Sequence, residues 1–207
     1  GSVYQHLHFI SGHFSRHSSA NNHLIGEYAG LYVGSTVWPL WDECTRWREQ
    51  AGAGLEEEIG RQNHTDGFNR EQATWYHHEV AELFLLCVLV ARAAGTAFSR
   101  EYMAVLERMI DALALLTDCA GNVPAVGDAD DAVYLELGLE REVYRNLLAV
   151  GAVLFERSDF RYLAGRLPGR ARWLLGAEGA SAFEELAPEE PARSAPAALP
   201  DAGYWLL

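Results

Sequence analysis

Apolar residues recur at steps of three and four along most of the chain, with turn-forming residues between the runs. Leu24, Ile25, Ala29, Leu31, Tyr32 and Val33 predict a helix over 22–37. Pro39 ends it, because the residue before a proline avoids the helical region. Trp41, Cys44, Trp47, Ala51, Leu55 and Ile59 predict a second helix over 40–62, with Glu56, Glu57 and Glu58 as a solvated face. A third is expected over 70–94. Its second half, from Leu83 to Val90, is apolar nearly all round and therefore reads as an inner helix, closed by Gly95. Ser99 suits the cap of a fourth helix over 100–120, closed by Gly121, and further helices are expected over 140–156, near 160–164 and over 170–175. Residues 121–139 break the rhythm and read as a loop of the kind that often carries function. Residues 187–201 hold four of the seven prolines and read as a linker, followed by a strand-like 203–207.

Helix after helix with short connections predicts antiparallel neighbours and an all-α fold. Apolar inner helices paired with amphipathic ones favour concentric rings over a four-helix bundle. No internal repeat supports a solenoid.

Composition narrows the function. The 207 residues, 49% hydrophobic and 22% charged, suffice for a sizeable core. A formal net charge of −13 argues against nucleic acid as a partner. The best membrane-spanning candidate, 80–94, is interrupted by Glu82 and Arg92, so no membrane span is expected. All eight histidines lie within residues 1–78, which places most chemistry-capable side chains there. Cys44, Cys87 and Cys119 match no zinc spacing, and Cys87 and Cys119 sit in apolar patterns that predict buried free thiols. Gly1-Ser2 looks like an expression scar, and the chain reads as a piece of a longer protein.

Candidate chemistry concentrates in Ser18-Ser19-Ala20-Asn21-Asn22-His23-Leu24-Ile25-Gly26-Glu27. Several of these residues are good N-caps, and a helix start carries unpaired N–H groups and partial positive charge suited to a carboxylate ligand. Capping alone also explains them. Glu27 falls one helical turn after His23 and is placed to orient its imidazole. His6, His8, His13 and His17 match no metal-binding motif and read as partly buried helix and loop residues. Residues 64–69 form a turn pivoting on Asp66-Gly67. The acids at 128–131 lack the spacing and terminal Glu of a calcium loop. No metal site or cofactor is implied.

Three blocks stand in order: the one just quoted, Asp66-Gly67-Phe68-Asn69-Arg70-Glu71-Gln72-Ala73-Thr74-Trp75-Tyr76-His77, and Pro124-Ala125-Val126-Gly127-Asp128-Ala129-Asp130-Asp131. Together they resemble the heparinase II/III-like polysaccharide lyases, which include oligoalginate lyases. The resemblance covers about residues 10–135 and implies an incomplete (α/α) toroid followed by a β-sandwich. On that basis residues 3–186 are a toroid catalytic-domain fragment, and 187–207 are a linker and first strand of a β-sandwich. It also implies a periplasmic or secreted location and an anionic uronate polysaccharide as partner, with heparan-type, alginate-like and bacterial exopolysaccharide substrates all open.

The implied chemistry is β-elimination beside a uronic acid. The enzyme must neutralise the carboxylate, remove the C5 proton and protonate the departing O4. By motif position, Asn22 and His23 bind the carboxylate, and Tyr76 acts as general acid, in some family members also as base. An ordinary phenol has a pKa of about 10, so service as base requires nearby positive charge, for which His23, His77 and His78 are candidates. Arg16, Glu71 and His78 are candidate substrate contacts, and Trp75 is placed to stack on a sugar ring or to pack in the core. The resemblance expects a further histidine from beyond the toroid. This chain has none after His78, so the fragment alone is expected to be a poor catalyst. Two alternatives stay open: a noncatalytic saccharide-binding or scaffold domain with the same groups, and a glycoside hydrolase, which needs paired acids such as Asp128 and Glu71.

Overall fold

The computed structural model describes residues 1–118, 120–130, 132–135, 137, 142–192 and 197–206. Cys119, Asp131, the start of the helix expected at 140, residues 193–196 of the expected linker and the end of the expected strand at 207 lie outside them. The described elements are α1 (Ser2–Gly12), α2 (Asn22–Val37), α3 (Cys44–Arg61), α4 (Thr74–Ala93), α5 (Arg100–Leu116), α6 (Val143–Phe155), α7 (Ser158–Ala164), α8 (Gly169–Glu185), β1 (Ala197–Leu199) and β2 (Tyr204–Leu206). The all-α expectation holds. No helix among the described residues is long and apolar enough to cross a membrane.

The chain divides into two compact units. The first comprises Gly1–Gln62 and Glu82–Leu106. In it α2 packs on α3, and α1 packs on α2. Leu24, Ile25, Leu31 and Tyr32 of α2 are buried, as are Trp47, Ala51, Leu55 and Ile59 of α3. Burying each large side chain stabilises the fold by about 1.5–3 kcal/mol. Gly54 is needed at the close approach, where a Cβ would enter the ring of Tyr28. Phe84, Leu85, Cys87 and Val88 are buried, in keeping with an inner helix. Ser99 caps α5 by accepting the Tyr102 N–H at 3.0 Å. Glu56 in turn accepts both the N–H and the hydroxyl of Ser99, at 2.7 and 2.6 Å. The expected solvated face is thus only partly solvated: Glu56 is a tether and Glu58 is buried.

The second unit comprises Asn63–Ala81 and Glu107–Leu207. Helix α6 packs on both α7 and α8. Met109, Ile110, Leu113, Leu147, Leu148, Phe160 and Phe183 are buried in this unit. Arg157 ties Glu107, Asp111 and Asp159 together at 2.6–2.9 Å. Helix α8 runs past the expected 170–175, with a break at Gly176, where φ is +67°. Strand β1 falls inside the stretch read as linker and pairs antiparallel with β2, Ala198 opposite Trp205. Leu199 packs with Phe68, Ala112 and Leu116.

Helix α3 begins at Cys44, four residues after the expected start at 40, and two further helix boundaries differ from expectation for local reasons. Helix α4 begins at Thr74, four residues late, because Gln72 is left-handed with φ +59° and its N–H closes a turn on the Asn69 carbonyl. Helix α5 stops at Leu116, because the Asp118 carboxylate accepts the N–H groups of Ala120 and Asn122 and holds a turn there instead.

Candidate active site

The first group of candidate residues sits at the start of α2, in the first unit. Asn21 is the N-cap, and its Oδ1 accepts the His23 N–H at 3.1 Å. That leaves Asn22 and the exposed His23 as the first two helical residues, at the positive end of the helix dipole. The Asn21 carbonyl accepts the Ile25 N–H at 3.3 Å and the Nε2–H of Gln62, at the end of α3, at 3.2 Å. Gln62 also donates to the buried Glu58 carboxylate at 2.8 Å. The helix start is therefore braced from α3. Arg16 is exposed in the preceding loop, which turns at His17 with φ +64°. Glu27 does not take up the orienting role expected beside His23. Its two oxygens accept the N–H and hydroxyl of Ser15.

The second group lies in the second unit, on the first turns of α4. The turn at 64–69 pivots on Gly67, as expected. Its φ is +89°, and a Cβ there would collide with the Arg108 carbonyl. Asp66 Oδ1 accepts the Phe68 N–H at 3.3 Å, and Asn69 Oδ1 accepts the Glu71 N–H at 2.9 Å. The same Asp66 carboxylate accepts the N–H groups of Asp201 and Ala202 at 2.9 Å each, tying the turn between the strands to this one.

Thr74 then joins the helix start to the 121–139 loop. Its N–H donates to the Val126 carbonyl at 2.9 Å, and its hydroxyl donates to the Pro124 carbonyl at 2.8 Å. Gly127, with φ +76°, lets the loop lie against Gln72 and Ala73. The result sets Asp128 beside Tyr76, with the phenol donating to Oδ2 over 3.5 Å. The second and third sequence blocks are thus one structural piece.

Burial, then Asp128, Asp130 and Glu79, raise the Tyr76 phenol above its ordinary pKa. The nearby histidines supply no compensating positive charge. Burial lowers both His77 and His78 to about 4, so both rings are neutral near pH 7. His78 is 1% exposed, and its ring stands edge-on to Trp75 and Tyr144 at 5.1 and 5.4 Å.

Glu79 is a participant that sequence reading missed. It is 1% exposed. It accepts the Trp75 indole N–H at 2.9 Å and the Tyr134 hydroxyl at 3.4 Å. Burial and the neighbouring Asp130 push its pKa up to about 7. The available signal was its position one turn after Trp75 and Tyr76. Trp75 lines an open pocket of about 580 Å³ together with Asn122, Asp130, Glu142, Tyr144 and Arg145. Among the described residues no group of three or more His, Cys, Asp or Glu side chains is placed to hold a metal ion.

Comparison with known proteins gives these groups a family. The profile of the heparinase II/III N-terminus matches residues 1–150. A heparin-sulfate lyase of Pedobacter heparinus is 27% identical over 130 residues, which is 62% of this chain and 19% of that protein. Among solved structures, the fold resembles a heparinase III with a TM-score of 0.64 at 19% identity, over 80% of this chain and 27% of that one. It also resembles the heparan sulfate lyase HepC of Pedobacter heparinus, with a TM-score of 0.59 at 22% identity, over 80% of this chain and 26% of that one. The chain thus spans about a fifth to a quarter of the length of these relatives. Its fold class, an incomplete (α/α) toroid, agrees with these likenesses. With more than half of its length matched by the profile, this chain belongs to the heparinase II/III family.

Proposed function

We propose that the chain is part of a polysaccharide lyase that cleaves a uronic-acid-containing polysaccharide by β-elimination. The relatives named for heparin and heparan sulfate point to a glycosaminoglycan of that type as substrate. The observation that carries the reading is the Tyr76 phenol, held at the start of α4 beside Asp128, with its pKa raised by burial and then by the surrounding carboxylates. A phenol so placed is suited to donate a proton, not to abstract one.

In this reading Asn22 and His23 bind the uronate carboxylate at the start of α2. Their donors and the helix dipole stabilise the negative charge that develops as C5 loses its proton. The C4–O4 bond breaks as the C4=C5 double bond forms, and Tyr76 protonates O4. The C5 proton passes to a base outside these residues, where the resemblance expects a further histidine. Arg16 and Glu71 contact the substrate, and His78 contributes by bracing Trp75. The division into a toroid fragment over 3–186 and a lead into a β-sandwich over 187–207 belongs to the same proposal, as does a periplasmic or secreted location.

The test uses the full-length protein with heparan sulfate and a panel of other uronate polysaccharides. Ultraviolet absorbance of the unsaturated uronate is followed, with Tyr76→Phe in parallel. A signal that falls about 10²–10⁴-fold in the variant supports the assignment. Saccharide binding without unsaturated product, and with affinity altered by Tyr76→Phe, replaces it with a noncatalytic binding domain. Cleavage without a double bond would point to a hydrolase.

A further inference from the structure

We propose that Glu27 is a positioning residue: its carboxylate clasps Ser15 and thereby sets the loop that carries Arg16 into the start of α2. The inference rests on the reading of Arg16 as a substrate contact and of Asn22 and His23 as the carboxylate-binding pair.

Spacing alone suggests a different job. Glu27 follows His23 by four residues, where one helical turn suits an acid that orients an imidazole. The structure commits the carboxylate elsewhere. Oε2 accepts the backbone N–H of Ser15 at 2.6 Å, and Oε1 accepts the Ser15 hydroxyl at 2.5 Å. Both oxygens are taken by one residue twelve positions upstream. Short hydrogen bonds to a carboxylate are among the stronger polar contacts a protein makes. Beside the clasp, the Phe14 ring lies 4.5 Å from the ring of the buried Tyr28. Two consecutive loop residues, 14 and 15, are therefore docked on two consecutive helix residues, 28 and 27.

The loop depends on this docking. Beyond Ser15 the chain turns through His17 at φ +64°, a conformation that side chains with a Cβ rarely adopt. The short 3₁₀ turn His17–Ser19 is closed by a long bond, Ala20 N–H to the His17 carbonyl at 3.3 Å. Arg16 lies between the clasp and that turn. Its side chain is exposed, with the guanidinium carbon 5.9 Å from the Phe14 ring. Asn22 and His23, by contrast, belong to α2 itself and are held by the Asn21 cap and its Gln62 brace. Releasing the clasp thus frees Arg16 and leaves Asn22 and His23 in place. The consequence is weaker substrate binding with the saturated rate kept.

The experiment uses the full-length protein with Glu27→Ala, Glu27→Gln, Arg16→Ala and the Glu27→Ala/Arg16→Ala double variant. Affinity for a heparan sulfate oligosaccharide is read by titration calorimetry, and kcat and KM from product absorbance. Glu27→Ala and Arg16→Ala are each expected to weaken binding about tenfold, an order of magnitude in Kd. The double variant should bind no worse than either single one, because Glu27 acts through Arg16. Glu27→Gln keeps one acceptor for Ser15 and should fall between. KM should rise about tenfold with kcat within about twofold of the parent. Ser15→Ala removes only one of the two bonds, and serves with a smaller expected loss if Glu27→Ala does not fold. Additive losses in the double variant, unchanged affinity in Glu27→Ala, or no binding by the unaltered protein would overturn the proposal. Binding with the expected coupling but without unsaturated product would overturn only the lyase reading.

Discussion

The backbone N–H of Asn69 donates to Nδ1 of His77 over 3.1 Å, and this fixes what His77 is for. A backbone N–H can only donate, so Nδ1 is the acceptor and the proton sits on Nε2, which donates to the Met109 carbonyl at 2.8 Å. Phe68 stacks on the ring at 4.6 Å. His77 is therefore a neutral strut between the turn before α4 and helix α5, although it stands next to Tyr76 in the sequence. His77→Ala should destabilise the protein by about 2–4 kcal/mol through a cavity and two lost hydrogen bonds. Urea unfolding measures this. A loss below about 0.5 kcal/mol would show that the ring is not a strut.

The pH dependence of stability should contain two opposed contributions. His77 and His78 have pKa values near 4 in the fold and near 6.5 when unfolded. Their neutral forms are favoured by folding, so stability is full above about pH 6.5 and is lost as pH falls toward 4. Glu79 runs the other way. Its pKa is about 7 in the fold against an ordinary value of 4.5. Folding favours its protonated form, so its contribution is full below about pH 4.5 and is lost as pH rises through 7. The two slopes partly cancel between pH 4.5 and 6.5. Glu79→Gln keeps an acceptor for the Trp75 indole and removes one slope. Its thermal midpoint should exceed that of the parent most at pH 8 and fall more steeply on acidification. Parallel curves for parent and variant would remove Glu79 from this account.

How much of this was legible in the sequence follows from where each partner lies. The bounds of α2 were readable because its N-cap, its apolar residues and Pro39 are local signals. The start of α4 was not, because the left-handed Gln72 and the pairing of Asn63 with Asn69 arise from the turn as a whole. Glu58 looked solvated until Gln62, one turn on, proved to be its buried partner. The three family blocks were visible as motifs. That the Thr74 hydroxyl sews the second to the third, across 50 residues, was not. Strand β1 was hidden in an Ala- and Pro-rich stretch, because its pairing with 204–206 depends on the hairpin.

Gly67 tests whether the motif before Tyr76 is scaffold. Its φ of +89° suits glycine, and a Cβ would meet the Arg108 carbonyl and Cβ. Gly67→Ala should cost about 1–3 kcal/mol of stability. The turn it distorts carries Asp66, Phe68 and Asn69, so elimination should fall along with stability. A variant as stable and active as the parent would show that the turn relaxes freely and that Tyr76 does not depend on it.

Asp128 gives the sharpest test of the role of Tyr76. The phenol is raised by burial and then by Asp128, the foremost of the three acids. Asp128→Asn removes that charge while leaving an amide oxygen to accept the 3.5 Å hydrogen bond. The phenol pKa should therefore fall toward its ordinary value. If Tyr76 donates the proton to O4, it must be protonated when it acts, and the alkaline limb of the rate profile reports its ionisation. That limb should move to lower pH in Asp128→Asn, with the acid limb unchanged. Tyr76→Phe should abolish the signal in both backgrounds. If Tyr76 instead acts as base, it is the acid limb that reports its ionisation. Asp128→Asn would then shift that limb downward and raise the rate at neutral pH. The direction of the change thus decides between donor and acceptor without knowledge of the other catalytic group.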